Sequence, residues 1–464
     1  MTNGLTLDPV ILREYDIRGI VGDSLTEQSV HAIGQGFGTM LAERGCRTVA
    51  VGYDGRLSSP GLEQAMVDGI TASGLDVIRI GLGPTPMLYF ATCHLDADAG
   101  AMITGSHNPP EYNGIKMVYQ GKSFWGPDIQ ELGRRVEHGE LSTGNGSSRH
   151  YDIFDEYVDR LVSDYRGDKD LKVAWDPGNG AAGDVTRALT ARLPGEHILI
   201  NDKIDGTFPA HHPDPTVEKN LEQLKDLVLS QGCDLGIGFD GDGDRIGIID
   251  AQARVLWGDQ ILIVLAREVL ADIPGATIIA DVKSSQAFFD EVTRMGGKPL
   301  MCKTGHSLIK NKMIETGAPL AGEMSAHIFI KHRYYGYDDA PYAAVRILSI
   351  LAAGTDSLAD IRDSLPQMIN TPELRFPCAE DRKVPVVETV QAGLTGRTDI
   401  TVHDIDGVRV ETADGWWLLR ASNTQDVLVA RCESGTEEGL KRLKADLAKQ
   451  IVAAGLELPE DMGL

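Results

Sequence analysis

The 464-residue chain has only six cysteines, Cys46, Cys93, Cys233, Cys302, Cys378 and Cys432, and no two of them form a CxxC pair. Their scatter excludes a small disulfide framework and suggests a reducing, cytoplasmic setting. Long apolar runs are also missing. The longest uninterrupted aliphatic run, Ile261 to Ala266, is far short of the ~20 residues that cross a bilayer. The opening MTNGLTLDPV lacks a basic segment followed by an apolar one, so no secretory signal is expected. Basic residues are scarce: Lys plus Arg total 44 against 68 Asp plus Glu, a net charge of −24. Such a field repels nucleic acid and anionic lipid, so neither is an expected partner. It also repels a phosphorylated metabolite. An enzyme for one must cluster its cations locally and recruit a metal ion.

Hydrophobic residues make up 42% and charged residues 24%, ordinary values for a globular protein. At about 150 residues per domain, the length suggests roughly three domains. The 52 glycines are about 11% of the chain against a usual ~7%, which implies many tight loops. Short β-branched runs alternate with amphipathic stretches, the pattern of βαβ units. Four runs end in an acidic residue: Thr48–Asp54, Lys172–Asp176, Leu235–Asp240 and Thr277–Asp281. Ligands of open α/β sheets bind beyond the carboxyl ends of strands, so these tips are candidate site walls. Residues 138–150 and 364–373 read as loops or domain edges. Between them, Gly258-Asp259 can cap a helix carrying Ile261, Val264, Leu265 and Val269 on one face. The tail after Glu433 reads as a helix with Leu440, Leu443, Leu447 and Ile451 as its buried stripe.

The stretch Thr104–Pro110, TGSHNPP, belongs on an irregular loop, because neither helix nor strand tolerates that punctuation. It offers Ser106 as an exposed hydroxyl able to carry a covalent group beside His107, or it is merely a self-satisfied turn. Asp240–Arg245, DGDGDR, follows an apolar strand and sets carboxylates at alternate positions. Their repulsion is relieved by a divalent cation, and all-oxygen ligation suits Mg²⁺ or Ca²⁺. An EF-hand is eliminated, since Arg245 and Ala251 stand where its Gly and Glu belong; a solvated acidic turn is the remaining alternative.

Gly178, Gly180 and Gly183 in GNGAAG, with Asp202 about 20 residues on, match a dinucleotide fingerprint. Asp176-Pro177 intervenes where that fingerprint has its tight turn. Arg420–Thr424, RASNT, sets one guanidinium, two hydroxyls and an amide on a loop suited to phosphate oxygens, or forms a plain hairpin turn. Gly322–His327, GEMSAH, offers Glu323 and Ser325 to sugar hydroxyls.

TGSHNPPEYNGIK, DGDGDR, GEMSAH and RASNT, in this order and spacing, resemble the α-D-phosphohexomutases, most closely the bacterial phosphomannomutase/phosphoglucomutase type. Glu14–Gly19 (EYDIRG), Gly52–Arg56 (GYDGR), Phe208–Pro215 (FPAHHPDP) and Lys303–Lys310 (KTGHSLIK) extend the resemblance over nearly the whole chain. It makes GNGAAG the opening of a second domain rather than a nucleotide site.

The resemblance implies an α/β protein: three related α/β domains plus a C-terminal TATA-box-binding-protein-like α+β domain around a central cleft. The expected boundaries give the phosphoserine loop to residues 1–151, the metal-binding loop to 152–254, the sugar-binding loop to 255–369 and the phosphate-binding loop to 370–464. It further implies that Ser106 is phosphorylated in the resting enzyme, with Mg²⁺ held by Asp240, Asp242, Asp244 and a phosphoserine oxygen. A sugar hydroxyl takes the phosphoryl group, and the resulting 1,6-bisphosphosugar turns around and returns its other phosphate. Arg245 joins the metal in neutralising charge. Glu323 and Ser325 bind the C3 and C4 hydroxyls, and Arg420, Ser422, Asn423 and Thr424 clamp phosphate. Tyr15, Lys283 and His306 match further substrate contacts. Arg18, Lys116, His306 and His327 match positions near the general acid/base; Lys116 is preferred, on the expectation that surrounding positive charge lowers its pKa. A mobile fourth domain lets the intermediate rotate while trapped.

Two departures stand out. Asp426 replaces a proline common after the clamp threonine and puts the clamp's rigidity in doubt, and Ala326 stands where close relatives often carry Gly. The expected activity interconverts mannose 1- and 6-phosphates and the glucose pair, activated by glucose 1,6-bisphosphate or mannose 1,6-bisphosphate. GEMS rather than GEQS favours this over a phosphoglucosamine mutase; a dedicated phosphoglucomutase remains an alternative. From other classes, a Ser-dependent phosphatase, an NAD(P)-dependent dehydrogenase and a non-catalytic sugar-phosphate binder stay open. The expected partners are hexose phosphates, and the expected state is a monomer or small homo-oligomer.

Overall fold

The structure, a computed structural model, describes residues 5–422 and 426–457. Four sheets follow one another along the chain. The first three are built on one plan. In the first, strands Thr48–Tyr53, Asp76–Leu82, Ala99–Ile103 and Tyr112–Tyr119 lie in the spatial order fourth, third, first, second. The first three run parallel and the fourth returns antiparallel. Lys172–Asp176, Glu196–Leu199, Leu235–Phe239 and Ile246–Asp250 repeat that order and those directions. Thr277–Asp281, Lys298–Cys302, Leu320–Gly322 and Ile328–Ile330 do so again. Helices make the parallel crossovers, as such connections require. The sequence hints at this module only through its acidic strand tips; hydrogen-bond register displays it.

The fourth sheet, Ile369–Asn370, Leu374–Pro377, Thr401–His403, Val408–Thr412, Gly415–Ala421 and Val427–Ser434, is wholly antiparallel. Helices Glu380–Gly393 and Glu437–Ala453 cover it. Leu443, Leu447 and Ile451 form the buried stripe expected for the tail helix.

Three local expectations are corrected. Residues 148–150, read within a loop, form a parallel edge strand on Asp76–Leu82. Ile369–Asn370, inside the second polar break, pairs with Val427–Ser434. The helix Gly258–Asp272 begins after Trp257, whose N donates to Gln260 Oε1 at 3.1 Å; Asp259 lies inside the first turn rather than ahead of it, its Oδ1 accepting from Gln260 N at 2.9 Å and its Oδ2 from Ser285 N at 2.8 Å.

One apolar core runs continuously through the three α/β units, from Ala50 past Trp175 to Leu365. The C-terminal unit has its own core and meets the third unit through Val282, Trp416 and Leu418. All six cysteines are free, and among the described residues no helix is long and apolar enough to cross a membrane.

Candidate active site

Three of the candidate loops are hairpins at the same place in their unit. Residues 104–111 join the third and fourth strands of the first module, 240–245 those of the second, and 323–327 those of the third. Residues 422–426 join two neighbouring strands of the last sheet. Each hairpin is rooted on hydrogen-bonded strands, so its reach is fixed by a sheet rather than by the loop itself.

The serine hairpin is held from below by a residue to which the sequence reading gave no role. Arg56, buried, donates to Ser106 O at 2.8 Å, Asn108 O at 2.6 Å, Pro109 O at 2.6 Å and Tyr112 O at 3.0 Å. Its Nε pairs with Asp54 Oδ2 at 3.2 Å, and the same oxygen accepts from Gly105 N at 3.1 Å. A Cβ at Gly105 would lie 2.4 Å from the guanidinium carbon, so only glycine admits this approach. Ser106 itself sits at φ +51°, a left-handed conformation uncommon for serine and sustained by these bonds. Arg18 adds bonds to Gly105 O at 3.2 Å and Asn108 Oδ1 at 2.6 Å.

Above this support, Ser106 Oγ donates to Asp240 Oδ2 at 3.3 Å and lies 3.2 Å from His107 Nδ1. Burial, together with Arg245, Arg18 and Lys116, pushes the His107 pKa well below its ordinary value, so the ring is neutral. Asp240, Asp242 and Asp244 are fully buried, and an oxygen from each lies within 4.8 Å of the others. Asp240 Oδ1 receives Asp244 N and Arg245 N at 3.0 and 3.1 Å. Burial and its two neighbouring carboxylates raise the Asp240 pKa strongly. Asp242 Oδ1 and Asp244 Oδ1 are buried without a hydrogen bond. Orphaned carboxylate oxygens packed this closely are costly alone and fit a hard divalent cation.

Lys116 corrects an expectation. Its Nζ lies 2.7 Å from Asp242 Oδ2 and 2.5 Å from Asp244 Oδ2. Burial pulls its pKa down, but these carboxylates override burial and hold it well above the ordinary lysine value. Its immediate neighbours are anionic rather than cationic, which favours the ammonium form.

The 240–245 and 323–327 hairpins touch. Arg245 and His327 form a β-bridge, and Arg245 Nε donates to His327 Nε2 at 3.0 Å. That bond leaves the imidazole proton on Nδ1, which stands 3.0 Å from Asp338 Oδ2. Asp338 in turn meets Lys310 Nζ at 3.1 Å. Asp244, His327 and Asp338 could together hold an ion, but Arg245 and Lys310 already neutralise that corner. His306 stacks on His327 at 5.7 Å and on the edge of Tyr15 at 6.0 Å; burial and Lys310 lower its pKa well below the ordinary value. Glu323 accepts from Gly305 N at 2.7 Å, and burial raises its pKa. Ser325 is half-buried on the same hairpin. Asp281 Oδ1, the counterpart of Asp54, accepts from Met324 N at 3.1 Å. Ala326 lies at φ +66°, which explains why glycine suits that position.

In the C-terminal unit, Arg420 Nε donates to Asp406 Oδ2 at 2.9 Å, and Ser422 N donates to Val427 O at 3.0 Å. Asn423 and Thr424 lie outside the described residues. Asp426 O accepts from Cys378 N at 2.9 Å, which ties the hairpin stem to a neighbouring strand without proline. Lys283 pairs with Glu373 at 3.2 Å. The glycine-rich GNGAAG segment buttresses the 240–245 hairpin: Ala181 N donates to Gly241 O at 2.9 Å, Gly180 N to Pro177 O and Gly183 N to Gly180 O. Amides committed inside the chain do not cradle a pyrophosphate, which removes the dehydrogenase reading. Arg56, Asp338 and Asp406 were missed by the sequence reading. Only the acidic strand ends Asp54 and Asp281 carried a signal.

Models of the four phosphoglucomutase/phosphomannomutase domains match in order, α/β/α domains I, II and III at residues 9–142, 155–253 and 257–369 and the C-terminal domain at 373–450. The chain belongs to this family. It is 43% identical to a phosphomannomutase/phosphoglucomutase of Pseudomonas aeruginosa over 98% of both chains. It is 41% identical to a phosphoglucomutase of Neisseria meningitidis serogroup A, over 94% of this chain and 95% of that protein. The crystal structure of a phosphoglucomutase/phosphomannomutase family protein from Burkholderia thailandensis superposes with a TM-score of 0.93 at 41% identity, covering 98% of this chain and all of that one. As a family member the chain is an isomerase, an intramolecular phosphotransferase, with three α/β domains and a C-terminal α+β domain.

Proposed function

We propose that this phosphohexomutase interconverts mannose 1-phosphate and mannose 6-phosphate, and the corresponding glucose pair, through a phosphoserine enzyme and a 1,6-bisphosphosugar. The observation that carries this reading is the bond from Ser106 Oγ to Asp240 Oδ2, which sets a transferable hydroxyl against a buried acidic cage. The names borne by its relatives support the sugar pair. Asp240, Asp242, Asp244 and an oxygen on Ser106 would hold Mg²⁺, which when bound supplies charge neutralisation at the transferring phosphoryl group.

Phosphoryl transfer needs alignment and charge balance more than new covalent chemistry. The free sugar hydroxyl forms the new P–O bond and gives up its proton, the bond from phosphorus to Ser106 Oγ breaks, and Ser106 Oγ takes up a proton, so the exchange balances. Neutral His107 is placed to exchange the proton at that oxygen. Lys116, Arg18 and Arg245 hold fixed positive charge around the loop. Tyr15, Lys283, His306, Glu323, Ser325 and His327 face the sugar, and Arg420, Ser422, Asn423 and Thr424 take the distal phosphate. After turning, the bisphosphate returns its other phosphoryl group to Ser106. Glucose or mannose 1,6-bisphosphate loads a dephosphorylated enzyme. The free thiols favour a cytoplasmic setting, and the chain acts as a monomer or small homo-oligomer.

The test supplies Mg²⁺, mannose 1-phosphate and a trace of glucose 1,6-bisphosphate, and follows mannose 6-phosphate and free phosphate. Isomerisation with little phosphate release is expected; predominant release would make the protein a phosphatase. Ser106→Ala is expected to lose turnover while still binding Mg²⁺, and retained turnover would remove Ser106 from its role.

A further inference from the structure

Among the contacts between the third and fourth units, which include the Lys283–Glu373 pair and a bond from Arg431 to Met324 Sδ, two differ in kind. At the first contact, Arg409, fully buried, donates to Val282 O at 2.9 Å and Ser284 O at 2.8 Å and lies 3.9 Å over the Trp416 ring. Glu433, also fully buried, receives Ser285 Oγ, Gln286 N and Trp416 Nε1 at 2.8–2.9 Å. Arg431 donates to Lys283 O at 2.6 Å. All of this converges on residues 282–286, directly beyond strand Thr277–Asp281. Water does not reach these bonds, so they hold like a fulcrum.

The second contact is a single carboxylate at the edge of the cleft. Asp406 Oδ2 accepts from Arg420 Nε at 2.9 Å and from Thr304 N at 3.1 Å. Gly407 permits this: it sits at φ +79°, and a Cβ there would lie 2.4 Å from Leu419 O and 2.6 Å from Arg420 Cβ. The other side of the same residue is taken by the first unit, because Tyr15 Oη donates to Thr304 O at 2.8 Å. Thr304 Oγ1 then donates to Asp281 Oδ2 at 3.1 Å, and Asp281 Oδ1 holds the sugar hairpin through Met324 N. One residue of the third unit, Thr304, is thus gripped from the first and fourth units at once. Both Asp406 and Thr304 are half-buried, so water can replace these bonds when they open.

We infer that Asp406 is a positioning residue that latches the phosphate-binding unit over the cleft: it orients Arg420 and clasps Thr304, so the phosphate cradle and the sugar hairpin close together. The inference rests on the mutase reading, in which a bisphosphate must turn without escaping. Closure retains it, and breaking one carboxylate's bonds lets the fourth unit swing on its buried fulcrum.

The experiment compares Asp406→Ala and Asp406→Asn with the unaltered enzyme. Glucose 1,6-bisphosphate released per turnover of glucose 1-phosphate is measured, alongside melting temperature and the radius of gyration of the ligand-free protein. Asp406→Ala is expected to release about tenfold more bisphosphate per turnover and to depend on added bisphosphate. Asp406→Asn, which keeps an acceptor for the Thr304 amide, should fall between the two. The radius of gyration should rise in Asp406→Ala with little change in melting temperature. A residue of merely structural importance would lower turnover and melting temperature without raising release. Unchanged release in folded Asp406→Ala overturns the latch. If the unaltered enzyme fails to isomerise hexose phosphates, the proposed function falls instead; scattering then decides the latch alone, and an unchanged radius of gyration overturns it.

Discussion

Replacing Arg56 by methionine tests how the serine hairpin is held. The substitution keeps the length of the side chain but removes every bond to the carbonyls of Ser106, Asn108, Pro109 and Tyr112, and strands Asp54 as a buried charge. Breaking a buried ion pair by removing one partner costs about 3–5 kcal/mol. Units of 150–250 residues lose roughly 2–4 °C of melting temperature per kcal/mol, and the shared core favours the lower figure, so a fall of about 6–10 °C is expected. A second effect falls on the chemistry. The left-handed conformation of Ser106 costs about 1–2 kcal/mol. Without the arginine to sustain it, the competent population drops by about 5–30-fold. Scanning calorimetry reads the first effect, and labelling of Ser106 from radioactive glucose 1,6-bisphosphate reads the second. Arg56→Lys retains a charge for Asp54 but loses the fork, so it should recover stability better than labelling. A melting temperature within about 2 °C of the parent together with normal labelling would refute the argument.

Three further outcomes follow from the geometry. Ala326→Gly relieves a left-handed alanine worth about 1–2 kcal/mol and adds about 0.5–1 kcal/mol of chain entropy, so urea unfolding should show unchanged or slightly higher stability; a clear loss contradicts the φ argument. His211 is buried, which lowers its pKa, but its 2.9 Å bond to Asp176 and its contact with His212 O outweigh burial and raise it. Its stabilisation is therefore complete below the unfolded histidine value of ~6.5 and is lost as pH rises through the raised folded value; denaturation at pH 6 and pH 8 should differ less in His211→Gln than in the parent. Asp244→Asn removes one carboxylate of the cage, and calorimetric titration should show at least about tenfold weaker Mg²⁺ binding, with unaltered affinity counting against the cage.

The chemistry-bearing letters were legible because glycine and proline announce hairpins and because carboxylates cannot crowd together unassisted. TGSHNPP and DGDGDR stand 130 residues apart in the chain; the crowded carboxylates alone nominated a cation site, whereas TGSHNPP alone left Ser106 between a nucleophile and a plain turn until the family resemblance chose. Their meeting at Asp240 Oδ2 was not legible, since it depends on how separate sheets pack. Lys116 shows the limit most plainly. A lysine in a strand gives no hint of which charges the next unit will bring against it, and the expected cations turned out to be Asp242 and Asp244. Arg56, noticed only as part of GYDGR, and Asp338 were given no role for a related reason, as most of their partners lie on other elements. The module itself was faint because apolar strands of equal role share no fixed letters, whereas pairing register exposes the likeness at once.

The repeated module also separates what must stay fixed from what is free to vary. Each reactive hairpin spans only a few residues between strands already paired to each other. Substitutions there need not disturb the pairing of the sheet beneath, so the three hairpins can carry quite different side chains on one and the same strand plan. An insertion that lengthens one hairpin therefore changes one wall of the cleft while the other two keep theirs.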